Sequence, residues 1–583
     1  MKQGTNRRLA NVKTRKETGL EYVMFSLDLN TPFGKKQLKE LKPFYPGEEN
    51  ELRAELDRLA AMIEFVSNNK VLTEKLQEVF MEMKDPTLTV QRSESTVLST
   101  VELYEVKSLL LQMRQLRKLT IEHEVGDYKG CHCVTETVQG ERAADEQPAA
   151  EEKDTELVAG GRVPEEYFLT DTEALLDELD PTGDRLNTFY IYNEFSPVLT
   201  ELRAKKREHE LLIRREQKSE RERLRKDCGV LLTPKFDMVL ARSNPDFDRI
   251  CALPELEIAD QDYMSVTLKL KPSEAVYKYV NEIETINAEI EAEEERIRAV
   301  LSKKISQWAD VLLENCEKVG ALDLALAKAL YAIRHDLTKP EITDEHIIEF
   351  EDGRNVQVED ILKAKGREYC PVSLKLCDGV TLITGANMGG KTISLKLAGQ
   401  VPIMAQYGFF VPAKRARIGL SNYMQILIGD SQSVERGLSS FGSEMEELKE
   451  ILDHGQERSL ILIDEIASGT NPTEGTALTK SLVDYLIQKP YISLITTHFE
   501  SVTEREGIVN MQVRGLSDCN FELLNREIQY ANRRDRINII SGHMDYRLYR
   551  VDNQTQVPKE ALSIAAMLGI NREIIEGAKK YMK

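Results

Sequence analysis

No run of 18 consecutive apolar residues occurs anywhere in this 583-residue chain, so a membrane-spanning helix is not expected. An apolar core is also missing behind the basic start at Lys2, Arg7 and Arg8. That removes the pattern of a secretory signal and leaves the cytoplasm as the expected compartment. Cysteine is sparse: eight, scattered along the chain, suit reduced thiols better than a disulfide framework. Cys131-His132-Cys133 has no second pair at ligand spacing and reads as a loop in preference to a metal site. Positive charge is short as well. A formal net charge of −20 argues against indiscriminate coating of nucleic acid, although its distribution matters more than its sum.

What is present is more specific. Residues 385–392 read G-A-N-M-G-G-K-T, after the strand-like Val380-Thr381-Leu382-Ile383-Thr384 and before the helix-like Ile393-Ser394-Leu395-Lys396-Leu397. A phosphate-binding loop needs this order. Gly385 and Gly390 let the backbone turn its N–H groups around a polyphosphate, Lys391 supplies a point charge to the β and γ phosphates, and Thr392 offers a hydroxyl to Mg2+. An ATP or GTP site is the expectation. Downstream, Leu460-Ile461-Leu462-Ile463 is a continuous apolar run, as in a parallel strand covered on both faces, and Asp464-Glu465 closes it. Asp464 suits holding Mg2+ through water, and Glu465 suits polarising the attacking water as a general base. A third apolar strand at 491–495 ends in Thr496-Thr497-His498-Phe499. Ligands bind at strand C-termini in open α/β sheets, so His498 is a candidate γ-phosphate sensor; the plain alternative is a satisfied polar residue.

The wording then becomes particular. The loop from Gly385, the V-P-A at 411–413, Ser439-Ser440-Phe441-Gly442-Ser443-Glu444-Met445, Asp464-Glu465-Ile466 with Ser468-Gly469-Thr470, and Thr497-His498 closely resemble the ATPase domain of the MutS family, in the ABC class of ATPases. The resemblance implies ATP and Mg2+ as ligands, with Asn387 and Gly389 lining the phosphate site. It also implies that Ser439 reaches the nucleotide of the partner subunit and that 468–471 lies at the subunit junction. Ala386 departs from the family's usual Pro, and Gly353-Arg354-Asn355 stands where an Arg-His-Pro element is common. Weaker matches flank these: N-T-P-F-G-K-K at 30–36 resembles the opening of the MutS core domain, and 560–570 its final helical segment. The chain begins where that core domain begins, so the mismatch-reading domain and its connector are expected to be missing. Phe80-Met81-Glu82 has the letters of the family's Phe-x-Glu wedge. It lies in a helical run over 72–83 whose Leu76, Val79, Phe80 and Met83 share one face, so Phe80 reads as core.

Long helices organise the middle of the chain. Residues 203–226 carry eleven Lys or Arg against five Glu, either an arm along phosphates or a solvated helix laced with ion pairs. Apolar residues from Val276 to Leu312, Trp308 among them, keep helical spacing, so one helix of roughly 55 Å is expected to run through. Between these two helices, 228–271 reads as a tip with a small β-element. Its Asp246, Asp248, Glu255, Glu257, Asp260 and Asp262 suit phosphates poorly. Residues 141–165 read as a flexible acidic loop.

The expected architecture is multidomain: an all-α core and lever with long helices and a short β tip, then an α/β P-loop ATPase domain of ABC type. The segments are a helical core at 1–195, a two-helix lever at 196–334, the ATPase at 335–550 and a C-terminal helical segment at 551–583. If Ser439 completes the site around Lys391 of a second copy, ATP binding closes a homodimer and hydrolysis at Glu465 releases it. Two clients fit the resemblance: DNA, in repair or recombination without direct mismatch reading, or a cobalamin-dependent aminomutase remodelled by a reactivase ATPase, with or without a second reactivase subunit.

Overall fold

The structure is a computed structural model. It describes residues 8–121, 162–385, 390–429 and 440–499, and from there to 581 all but 500–501, 504–505, 517–518, 520, 530–535, 537–538, 541–542 and 552–560. Cys131, His132, Cys133 and most of the acidic loop therefore lie outside the described residues. The chain divides into two compact units: the described residues of Met81–Cys131 and Phe168–Lys318 form one, and those of Met1–Phe80, His132–Tyr167 and Val319–Lys583 the other. The units interleave along the chain and cut across the sequence-based segment 1–195.

The first unit is built on long helices. Thr100–Thr120 opens with a capping box in which Ser99 and Glu102 satisfy each other's backbone N–H groups. Lys107 on this helix is fully buried, 3.1 Å from Asp180, and Thr188 O and the Tyr192 hydroxyl each lie 3.0 Å from its Nζ. That pairing is what makes a buried ammonium tolerable. The basic run forms Pro197–Cys228, capped by Ser196 and ended by Gly229 at φ 71. Glu274–Gln307, capped by Ser273, lies against it. Arg203 pairs with Glu294 at 2.7 Å and His209 with Glu282 at 2.8 Å, an opposed order that makes the two helices antiparallel.

Between them β1 (Asp237–Ala241), β2 (Leu256–Gln261) and β3 (Ser265–Leu270) form an antiparallel sheet in the order β1-β3-β2. It closes over Val230, Leu240, Ile250, Leu256, Val266 and Leu268, so the β-element expected within 228–271 is present. The single helix expected over 276–312 is not. The helix ends at Gln307; Trp308, at φ −102 and ψ 3, turns its N–H to Ile305 O, and Ala309–Arg334 begins directly afterwards. A one-residue tightening of this kind leaves the apolar period intact, and neither Gly nor Pro marks it.

In the second unit, Phe80 is wholly buried at the end of the helical run, as expected for core. Thr31 caps Pro32–Glu40 by accepting from Gly34 N, while Asp323 accepts from both Thr31 N (2.8 Å) and Thr31 Oγ1 (2.7 Å). Gly34 has no room for a side chain: a Cβ there would sit 2.4 Å from Asp323 Oδ2. This explains the glycine in the N-T-P-F-G string.

A four-stranded sheet has the order β4-β8-β5-β6, from β4 (Glu341–Thr343), β5 (Ile347–Gly353), β6 (Val372–Cys377) and β8 (Arg415–Gly419). A six-stranded sheet has the order β13-β12-β7-β11-β10-β9. Its strands are β7 (Gly379–Thr384), β9 (Tyr423–Ile428), β10 (Ser459–Asp464), β11 (Tyr491–Thr496), β12 (Ile508–Gly515) and β13 (Asp545–Val551). All pair in parallel except β13, which runs antiparallel to β12. The run read as a doubly covered strand, in β10, and the apolar strand runs in β7 and β11 are buried along nearly their whole length. The start of the chain also packs on this sheet: Met424 N donates to Leu9 O at 2.7 Å, and Thr14 Oγ1 donates to Gln425 Oε1 at 2.8 Å.

Candidate active site

In the sheet order, β11 lies between β7 and β10, so the loops leaving all three strands come together at one carboxyl edge, where open α/β sheets bind ligands. Gly385 leaves β7 at φ +134 and Gly390 enters the helix Lys391–Gln406 at φ +80, left-handed values that glycine adopts without penalty. Lys391 is buried to 4% exposure, with Nζ 2.8 Å from Gly385 O and 2.9 Å from Glu465 Oε1. Thr392 Oγ1 donates to Asp464 Oδ2 at 2.7 Å. Six of the expected site residues, Gly385, Gly390, Lys391, Thr392, Asp464 and Glu465, thus meet around one edge.

Three others, Asn387, Gly389 and Ser439, lie outside the described residues. His498 follows β11 as expected, but its ring is exposed, packs on Phe499 with centroids 4.2 Å apart, and makes no hydrogen bond to Lys391, Asp464 or Glu465. Asn471, at the end of the 468–471 segment, caps the helix Pro472–Ile487.

Some residues near this edge were not singled out from sequence. Thr496 joins the two acids by hydrogen bonds. Glu444 Oε1, on the helix Ser440–His454, accepts from Ala467 N at 3.2 Å, and burial pushes the Glu444 carboxyl above its ordinary range. The Tyr546 ring on β13 lies so near the loop that a Cβ on Gly390 would be 2.7 Å from Tyr546 Cδ1. Glu444 stood within a recognised string, whereas Tyr546 carried no signal. The departure at Gly353-Arg354-Asn355 has its own structural work: Arg354 bonds Glu359 and the carbonyls of His335 and Asp336, and Asn355 caps Val356–Ala364.

A triad-like array, Ser421, His346 and Asp378, is structural. Ser421 is fully buried and its backbone is pinned by Gln406, so no substrate reaches its hydroxyl. Among the described residues no cluster of metal-ligating side chains of the His/Cys/carboxylate kind occurs, and no helix is long and apolar enough to cross a membrane.

On the basic helix, Arg207, Arg214, Arg215, Lys218, Arg225 and Lys226 are exposed and make no ion pair among the described residues. Arg207, Arg214, Lys218 and Arg225 recur at intervals of 7, 4 and 7 residues, which puts them on one helix face.

A parallel-rich sheet with a glycine-bracketed loop, a buried lysine and a strand-end acid pair defines the P-loop class of nucleotide-binding domain. Within that class the comparisons are specific: residues 381–583 match the family model for MutS domain V. An Endonuclease MutS2 of Clostridium botulinum (strain Okra / Type B1) is 37% identical over 269 residues, 45% of this chain and 33% of that protein. Those of Shouchella clausii and Caldanaerobacter subterraneus subsp. tengcongensis are 34% and 29% identical over 263 and 330 residues, 44% and 56% of this chain and 32% and 38% of those proteins. The match thus spans about a third of the length of these curated relatives.

Proposed function

We propose that this chain is an ATP hydrolase that works as a homodimer and moves its helical arms on DNA. The observation that carries the ATPase reading is the joint placement of Lys391 against Glu465 and of Thr392 against Asp464 at one sheet edge. Lys391 binds the β and γ phosphates, with Gly385, Asn387, Gly389 and Gly390 as the cradle; Glu465 is the general base; His498 is the sensor; and Ser439 acts on the partner's nucleotide. The Thr392 hydroxyl and the Asp464 carboxylate are adjoining hard oxygen donors and fit Mg2+, which neutralises phosphate charge when bound.

The reading assigns the core to 1–195, the lever to 196–334, the motor to 335–550 and a helical closure to 551–583. DNA as client draws on the unpaired basic face of the helix Pro197–Cys228 and on relatives named as endonucleases. Only association with nucleic acid is carried over, not cleavage. None of the relatives above is named for a cobalamin enzyme.

The test is nucleotide-dependent dimer closure and ATP turnover in the purified full chain. Lys391→Ala should abolish both, while Glu465→Gln should bind ATP, close and stall. Full turnover in the Lys391→Ala protein would falsify the assignment.

A further inference from the structure

Thr496 is the last residue of β11 and is wholly buried, in register with Asp464 on β10. Its hydroxyl donates to Asp464 Oδ1 at 2.5 Å and accepts from Glu465 N at 3.0 Å, while its own carbonyl accepts from the same N–H at 3.1 Å. A threonine hydroxyl has one proton to give and lone pairs to receive. Here the proton is committed to one acid and a lone pair to the backbone of the next.

The other Asp464 oxygen is held by Thr392 Oγ1 at 2.7 Å, so the carboxylate is gripped at both oxygens by hydroxyls from two different elements. Glu465 needs the second grip for a separate reason. Its φ is +47, and Ala467 follows at +59; side-chain-bearing residues seldom occupy this left-handed region unless the surroundings impose it. The peptide that sets the direction of the Glu465 side chain is therefore anchored through Thr496.

We propose that Thr496 is a positioning residue that aligns Asp464 and Glu465 as one unit for hydrolysis, an assignment that rests on the ATPase reading above. It is wholly buried and acts through the two acids. Valine has the same shape and neither hydrogen bond of the hydroxyl, leaving only the backbone carbonyl to accept from Glu465 N; serine keeps both.

The experiment compares the parent full chain with Thr496→Val and Thr496→Ser by steady-state turnover, by equilibrium binding of ATP to the Glu465→Gln background, and by amide exchange at 464–467. Thr496→Val is expected to lose roughly ten- to hundredfold in kcat, because catalytic groups misplaced by about an ångström lose that much. It should also exchange the Glu465 amide faster, while ATP affinity stays within about threefold. Thr496→Ser should restore turnover and protection. If thermal unfolding shows Thr496→Val to be misfolded, Thr496→Ala carries the same expectations.

Undiminished kcat in a folded Val or Ala variant overturns the proposal and leaves the ATPase reading standing. So does a parallel loss of ATP affinity, stability and turnover that serine does not restore, since that is a purely structural role. A parent chain that neither binds nor hydrolyses ATP overturns both.

Discussion

The Gly34 hydrogen occupies space that no side chain can share, because the Asp323 carboxylate stands over it while accepting from the Thr31 backbone and hydroxyl. Gly34→Ala should therefore cost about 1–3 kcal/mol of unfolding free energy by overpacking, read as a lower midpoint in urea with an unchanged m-value. Buried histidines make a second residue-scale prediction. Burial holds the imidazoles of His335 and His346 below their ordinary 6.5, against the pull of Asp360 and Asp378 respectively. The unfolded chain then binds these protons more readily than the folded one, so their contribution is complete above 6.5 and is lost as pH falls below it. Tm should drop between about pH 7 and pH 5, and less steeply in His346→Gln. The placement of Gly385, Gly390, Lys391 and Thr392 was legible in the sequence because the phosphate loop is contiguous and its order is dictated by what a polyphosphate needs. Thr496 was not, since its pair of hydrogen bonds exists only once β10 and β11 adopt the register that sets it opposite Asp464.

At the scale of elements, Ser440–His454 is tied to the segment after β10 by the hydrogen bond from Ala467 N to Glu444. Glu444→Gln keeps an acceptor there and removes a carboxylate whose charge burial disfavours, so stability near neutral pH should hold or rise. Glu444→Leu leaves the Ala467 N–H buried without a partner and should cost about 1–3 kcal/mol, with turnover falling alongside if that segment steers Glu465. Denaturant unfolding of the two variants side by side checks this. Strands β7, β10 and β11 were legible because burial on both faces demands an unbroken apolar run, and the tip sheet because its alternation is regular. The break at Trp308 was hidden, since the stripe of apolar residues continues through it. The docking of Leu9 and Thr14 on β9 was equally invisible, because it joins residues more than 400 positions apart that share no pattern.

For the whole molecule, the net charge of −20 and the basic face of Pro197–Cys228 pull in opposite directions. If Arg207, Arg214, Lys218 and Arg225 each meet one phosphate, the log–log salt slope of DNA binding should be about −3 to −4, at roughly −0.9 per contact. Reversing Arg214 and Lys218 to Glu should reduce that slope by about 2 and weaken all duplexes alike, whatever their sequence or mismatches. A slope near zero in the parent chain would remove DNA as the client. The residue at which the long helix gives way to the next is the protein's one tryptophan. Excited at wavelengths that the tyrosines do not absorb, the half-buried indole makes the emission of the whole chain a reading from a single point. Should fuel binding at Lys391 bend the chain at Trp308, a spectrometer will see the colour shift without any dye attached.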